Sequence, residues 1–414
     1  MMILADYVIF DLNRNQIFNM NIFTVKQGNN CVADQNSIKW YFILLVIYTV
    51  FLQLPLLRIA SISQVLLYIF WGAALLICVA RGSLLVNAEL ARIFSAYACI
   101  IVYALLLGQI TSYDYISSPL VRNLSISVYI LSVGYFLSLI LSREALLAIC
   151  KYFALAVLIT MPYYYFNYFS TTTYFNSKNS LGPIIVFALI IFATLPYSAN
   201  KLVKYFRLFA IAALTYSVLL SSNRASMVSI AVLLLYGLLM YAKKYKLILF
   251  LLIIIIATIC VTNIQIYGFL LHITMIDRLG LDPNSLSRGR TFQLDQAWKI
   301  IVANPFWGIG HYYVENFHLS ALVQFGVIGS LPIFMYYFIT VKTFVLNFRN
   351  SFQSVPLNRT IALMALHGVV ISLFEEQAPF GPGTSYCILW FLVGFYIGRR
   401  RELSISKPTA CSEE

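Results

Sequence analysis

Arg224 in SSNRAS, Arg288 and Arg290 in SLSRGRTF, and His318 in ENFHLS are side chains able to do chemistry on a phosphorylated substrate. An arginine guanidinium is planar, keeps its charge and donates hydrogen bonds in pairs, which suits it to a phosphate or diphosphate. A histidine titrates near neutrality and can take a proton from an attacking hydroxyl. A diphosphate leaving group held by arginine, with a hydroxyl activated by histidine, amounts to glycosyl transfer. No D-x-D triplet occurs in the chain, so the arginines rather than a bound metal are expected to neutralise the diphosphate. The reading calls for no cofactor.

Further substrate contacts are expected near these residues. TYFNSKNSLGP supplies Asn176, Lys178 and Asn179, and NPFWGIGHYYVENF supplies His311 and Glu315. Each feature also has a plainer role. Arg224 alone fits a helix-end arginine reaching lipid phosphates. Arg288 and Arg290 fit a solvated loop, and Asn176 and Asn179 fit a helix cap. NPFWGIG fits a turn ended by glycines, with His311 exposed or structural. His367 is expected to hydrogen-bond a neighbouring helix. Glu375 and Glu376, costly at membrane depth, fit carboxylates at the interface. The chemical reading gains weight because these features fall on one face of the protein.

The elements that position them are membrane spans. Of 414 residues, 61% are hydrophobic and 10% charged, against about 25% charged in soluble domains. A spanning helix takes about 20 mostly apolar residues, and helices are expected because lipid satisfies no backbone polar group. Twelve spans are expected, at roughly 40–57, 59–80, 93–110, 123–141, 146–166, 181–197, 205–221, 225–242, 247–267, 319–340, 360–376 and 385–398. The expected fold class is therefore all-α and polytopic. Its layout is a cytoplasmic extension over 1–39, nine spans over 40–267, a long periplasmic loop over 268–318, three spans over 319–398 and a cytoplasmic tail over 399–414. The first residues do not show the pattern of a secretory leader.

The net charge of +13 does not imply nucleic acid here. With both termini cytoplasmic, Arg58, Arg122, Lys178, Arg224, Arg278, Arg288, Arg290 and Lys299 fall outside, and the other 20 of the 28 Lys and Arg fall inside. That asymmetry follows the positive-inside rule. The inside charges are topological, and the outside ones are where chemistry is sought. Of the seven cysteines, Cys31 and Cys411 fall in the tails and the rest in spans, so no structural disulfide is expected.

The stretch SRGRTFQLDQAWKIIVANPFWGIG through HLSALVQFGVIG resembles the signature region of the O-antigen polymerase and O-antigen ligase superfamily. The carrying residues are Arg288 or Arg290, then Asn304-Pro305-Phe306-Trp307-Gly308-Ile309-Gly310, then His318, then Gly326-Val327-Ile328-Gly329. SSNRAS resembles the family's Ser/Thr-x-Arg motif, which places Arg224, and YFNSKNSLG resembles its Asn-x-Asn segment. There are two departures: Asn176 and Asn179 are three apart, and His318 is followed by Leu319, with Asn316 before it.

The resemblance implies a metal-independent glycosyltransferase of GT-C type, multi-pass in the bacterial inner membrane and working on its periplasmic face. The donor would be a glycan on undecaprenyl diphosphate, with membrane lipid around it and, by family analogy, a chain-length regulator protein beside it. Arg224 and Arg288 or Arg290 would bind the diphosphate, and His318 would position or deprotonate the acceptor hydroxyl. The complete long loop and the doubly basic SRGR start favour polymerase over ligase. A flippase or transporter for lipid-linked glycan would show ionisable residues inside spans, broken helices and paired repeats. A non-catalytic partner of an export complex would tolerate loss of Arg224 and His318.

Overall fold

The computed structural model describes residues 31–52, 54, 61–81, 86–111, 113–168, 178–196, 200–221, 223–241, 290–310, 312–351, 356–381 and 385–405. Among these residues are helices and no strands. The helices are α1 (Cys31–Phe51), α2 (Ser61–Arg81), α3 (Ala88–Thr111), α4 (Pro119–Leu137), α5 (Arg143–Tyr168) and α6 (Lys178–Thr194). They continue with α7 (Lys201–Leu220), α8 (Arg224–Tyr241), α9 (Arg290–Ala303), α10 (Phe317–Ser351), α11 (Pro356–Ser372) and α12 (Cys387–Ile405).

Five of these helices, α3, α4, α5, α7 and α10, hold stretches long and apolar enough to cross a membrane. Shorter apolar stretches lie in α2, α6, α8 and α12. The protein is an all-helical integral membrane protein. Every expected span falls on one of these helices except 247–267, which lies outside the described residues. Several boundaries move; α1 begins at Cys31 and α6 at Lys178, for example, because polar residues continue a helix beyond its apolar run. The remaining helix, α9, is short and lies within the stretch expected as the long loop.

The centre of the bundle is the pair α4 and α12, with α11 beside α12. Along α4 nearly every side chain from Leu120 to Leu137 is buried, including the polar Asn123, Ser127 and Ser132. The two backbones touch. A side chain at Gly394 would strike the Leu131 carbonyl, and one at Gly134 would strike Phe391. Gly394 and Gly398 form a G-x-x-x-G pair, the small-residue spacing that lets membrane helices approach closely. Tyr336, Phe380 and Trp390 stack beside this pair with ring centroids 4.8–5.1 Å apart. Outward-facing side chains such as Leu105, Ile110, Leu202 and Phe209 are exposed and apolar, as a lipid-facing surface requires.

Helix α10 departs from the expected single span at 319–340. Nineteen residues separate His318 from Tyr337, about 28 Å along a straight helix. Their ring centroids are nevertheless 4.8 Å apart. Phe317 likewise lies 5.3 Å from Tyr337 and 6.4 Å from Phe334. The helix therefore folds back on itself at Gly326, where φ is 64° and ψ is −176°. Residues 317–325 form a short arm, α10a, and residues 327–351 form α10b, the part able to span. The expected span conflated the two because both arms are apolar.

The hydrogen bonds lost at the fold are replaced from NPFWGIG. In an unbroken helix the amides of Val327 and Ile328 would donate to the carbonyls of Val323 and Gln324. Instead the amides of Ile309 and Gly310 donate to those carbonyls, at 2.9 and 3.1 Å. The amides of Val327 and Ile328 donate to the carbonyls of Pro305 and Phe306, at 2.8 and 3.4 Å. The Tyr103 hydroxyl donates to the Phe325 carbonyl at 2.9 Å. The carbonyls of Val323, Gln324 and Phe325 and the amides of Val327 and Ile328 thus find partners inside the protein, the condition for irregular backbone in a membrane protein. Gly308 and Gly326, both at positive φ, lie where any Cβ would collide with the opposing backbone. The two glycine motifs are halves of one joint.

Candidate functional site

The site gathers at the end of the bundle where α11 stops. Helices α8 and α10 both pack on α11. Ser229 of α8 and His367 of α11 are joined by a 2.6 Å hydrogen bond between Oγ and Nδ1, so His367 does bond a neighbouring helix as expected. Tyr236, further along α8, faces Arg359, earlier on α11, so the two helices run antiparallel. Five residues beyond the Ser229–His367 contact, in the same direction, stand Arg224 on α8 and Ser372 on α11. Both are about 7 Å further along and on one level. Arg224 is the first residue of α8 and half-buried.

Ser372 brings in His318. The His318 Nε2 atom lies 3.4 Å from Ser372 Oγ. The Tyr337 hydroxyl lies 2.9 Å from the same oxygen. The imidazole is walled by Phe317, Phe334 and Tyr337, with ring centroids 4.8–5.9 Å away. His318 is therefore not at the mouth of a straight span. It lies on α10a beside Tyr337, about 15 Å along α10b from the fold at Gly326. Asn316 sets the start of this arm. Its Oδ1 caps the helix by accepting from the Leu319 amide at 3.0 Å, and its Nδ2 donates to the Leu373 carbonyl at 3.1 Å. The asparagine two places before His318 thus anchors the histidine's helix to the end of α11.

Arg290 and Glu315, expected separately as substrate contacts, form an ion pair through Arg290 Nε and a Glu315 carboxylate oxygen. Both are about a quarter exposed, at 25% and 23%. The Tyr313 hydroxyl donates to the other Glu315 oxygen at 3.1 Å. Burial, with Glu315 next and Glu375 and Glu376 behind it, pushes the Tyr313 phenol up, so it stays protonated and able to donate. The Gln293 side chain accepts from the Glu315 amide at 3.4 Å. These contacts clamp the start of α9 to the residues just before α10a. A small apolar core of Ala297, Val314 and Val323 lies beneath them.

A second carboxylate cluster was not singled out as part of the site from the sequence. Glu375 and Glu376 are buried within the protein, at 9% and 7% exposure. Glu376 Oε1 accepts from Gln324 Nε2 at 3.0 Å and from Ser320 Oγ at 3.3 Å. Gln324 also donates to Ser320 at 2.8 Å. Ser320 and Gln324 are one turn apart on α10a, on the arm that carries His318. The sequence signal was available: two adjacent glutamates at the end of an apolar helix need buried partners, and S-x-x-x-Q supplies them from another helix.

The remaining sequence candidates are not brought to this cluster by described contacts. Asn176, Arg288 and His311 lie outside the described residues. Lys178 and Asn179 fall in the first turn of α6, which packs against α8 and α11.

A family model described as O-antigen ligase matches residues 209–334. The match covers less than a third of the chain. It takes in most of α7, all of α8 and α9, the glycine joint and the fold of α10. It therefore contains Arg224, Arg290, Glu315 and His318, and it ends before Tyr337, Ser372 and Glu376. No curated protein matches the chain. Over residues 209–334 the polymerase and ligase superfamily read from the motifs is the one the chain matches.

Proposed function

We propose that the chain, an integral membrane protein with an O-antigen ligase-type region at 209–334, transfers glycan from undecaprenyl diphosphate to a sugar hydroxyl as a polysaccharide polymerase. It would work on the periplasmic face of the inner membrane and lengthen a surface polysaccharide such as O-antigen. The observation that supports this reading is the packing of α8 and α10 on α11, with Arg224 five residues beyond the Ser229–His367 contact and His318 beside Ser372, five residues beyond it on α11. One offers a permanent cation and the other a base, on helices that share a neighbour.

In this mechanism Arg224, with Arg288 or Arg290, holds the diphosphate and takes up charge as the glycosyl–phosphate bond breaks. His318 accepts the proton of the attacking acceptor hydroxyl. The sugar's anomeric carbon passes from the phosphate oxygen to the acceptor oxygen, and undecaprenyl diphosphate leaves. The arginines supply the charge neutralisation, so the step needs no metal. Arg290 reaches the diphosphate by exchanging Glu315 for the more highly charged phosphate.

A ligase that moves finished glycan to lipid A-core is the second reading, favoured by the description of the matching family. A transporter would also contain a broken helix. Here the chain's own amides donate to the Val323 and Gln324 carbonyls opened by the break at Gly326.

The test is a deletion strain whose lipopolysaccharide is resolved on a gel. Core bearing a single repeat unit supports polymerase. Bare core, with polymer held on undecaprenyl diphosphate, supports ligase. An unchanged ladder, with every other surface glycan intact, sinks both.

A further inference from the structure

The Ser372 hydroxyl has one hydrogen and two lone pairs, and the structure gives each a partner. Ser372 Oγ lies 2.7 Å from the Val369 carbonyl, 2.9 Å from the Tyr337 hydroxyl and 3.4 Å from His318 Nε2. The direction of the hydrogen follows from the end of α11. Were the helix to continue, the Leu373 amide would donate to the Val369 carbonyl. It donates instead to the Val370 carbonyl at 3.2 Å. The Val369 carbonyl, in a buried stretch of the bundle, takes the Ser372 hydrogen in its place, since an unpaired buried carbonyl is costly. The two lone pairs of Ser372 Oγ then accept, one from the Tyr337 hydroxyl and one from His318.

We infer that Ser372 is a positioning residue that fixes His318 as the tautomer protonated on Nε2, with the Nδ1 lone pair presented as the base. Among the described residues, Nδ1 has no hydrogen-bond partner. The aromatic wall of Phe317, Phe334 and Tyr337 holds the ring plane while Ser372 sets which nitrogen carries the proton. The catalytic consequence rests on the proposed role of His318 as base; the tautomer itself does not.

The experiment uses the full-length protein, labelled with 15N-histidine and held in lipid nanodiscs at a pH where the imidazoles are neutral. Four histidines give four pairs of nitrogen resonances, and His318→Asn identifies its own. The wild type should show His318 protonated at Nε2 alone. Ser372→Ala should give a mixture of tautomers, and Ser372→Thr, which keeps the hydroxyl, should restore the single form. In a transfer assay Ser372→Ala should lower kcat about tenfold with KM changed less than twofold, and Thr should recover it. Protonation at Nδ1 in the wild type, or an unchanged tautomer in Ser372→Ala, overturns the inference. Full transfer by His318→Asn would instead overturn the proposed function and leave the tautomer result standing.

Discussion

Glu376 Oε1 accepts a hydrogen bond from Gln324 Nε2 across 3.0 Å, tying the end of α11 to the arm that carries His318. The carboxylate is buried, so its hydrogen bonds are worth about 1.5–3 kcal/mol each rather than the fraction seen at a surface. Gln324→Leu should therefore lower thermal stability in detergent by several degrees. Glu376→Gln, which keeps an acceptor oxygen, should cost less than Glu376→Leu. Equal melting temperatures for all three variants would show that the network does not hold the arm.

The glycine joint should tolerate no side chain. Gly326→Ala and Gly308→Ala each combine a positive φ with a collision against backbone. The positive-φ backbone alone costs a side-chain-bearing residue about 1–3 kcal/mol, and the collision adds to it. Both variants should show low membrane levels and faster proteolysis. Gly237→Ala, where an added Cβ meets nothing within 4 Å, should behave as wild type.

The Arg290–Glu315 pair separates stability from activity. A partly exposed ion pair contributes about 0–1 kcal/mol, so Glu315→Gln and Arg290→Gln should melt within a few degrees of wild type. Arg290→Gln should raise KM for the lipid-linked donor, because a cation facing its diphosphate is lost. A large drop in melting temperature with unchanged KM would make the pair purely structural.

Loss of the base or of the phosphate cation should strike turnover. His318→Asn and Arg224→Gln should each reduce transfer by about 100-fold or more while the protein remains inserted and folded. Arg224→Lys should recover only part of the activity, because lysine lacks the paired donors of arginine. Near-normal transfer by both His318→Asn and Arg224→Gln would refute the site.

The spans were legible because lipid imposes one demand everywhere, twenty apolar residues with their backbone bonded internally. Arg224 and Arg290 were singled out because a basic residue on the expected outer side has no topological reason to be there, and His318 because of its chemistry and its place in the signature motif. The fold at Gly326 was not legible. Residues 319–340 are apolar on both sides of it, and hydropathy does not register direction. Its only trace was the pair of glycine motifs, of which NPFWGIG was read as a turn and Gly326-Val327-Ile328-Gly329 as part of the signature. Ser372 was invisible for a different reason. One serine at a helix end carries no pattern, and its partner His318 is 54 residues away. Glu376 was seen, but its buried partners were not, because Gln324 lies 52 residues earlier.

The fold-back of α10 bears on how the protein's membrane topology can be mapped. Fusions of a reporter to successively truncated chains would read residues 317–340 as an ordinary stop-transfer segment. Several contacts that hold the short arm back lie in α11 and beyond, at Ser372, Leu373 and Glu376, and a truncated chain has not yet made them. Such a map would report a straight crossing that the finished protein does not contain. Only cysteine labelling within the full-length chain, on either side of Gly326, would register the hairpin. The same dependence applies to the residue proposed as the base, which meets Ser372 only once α11 is in place.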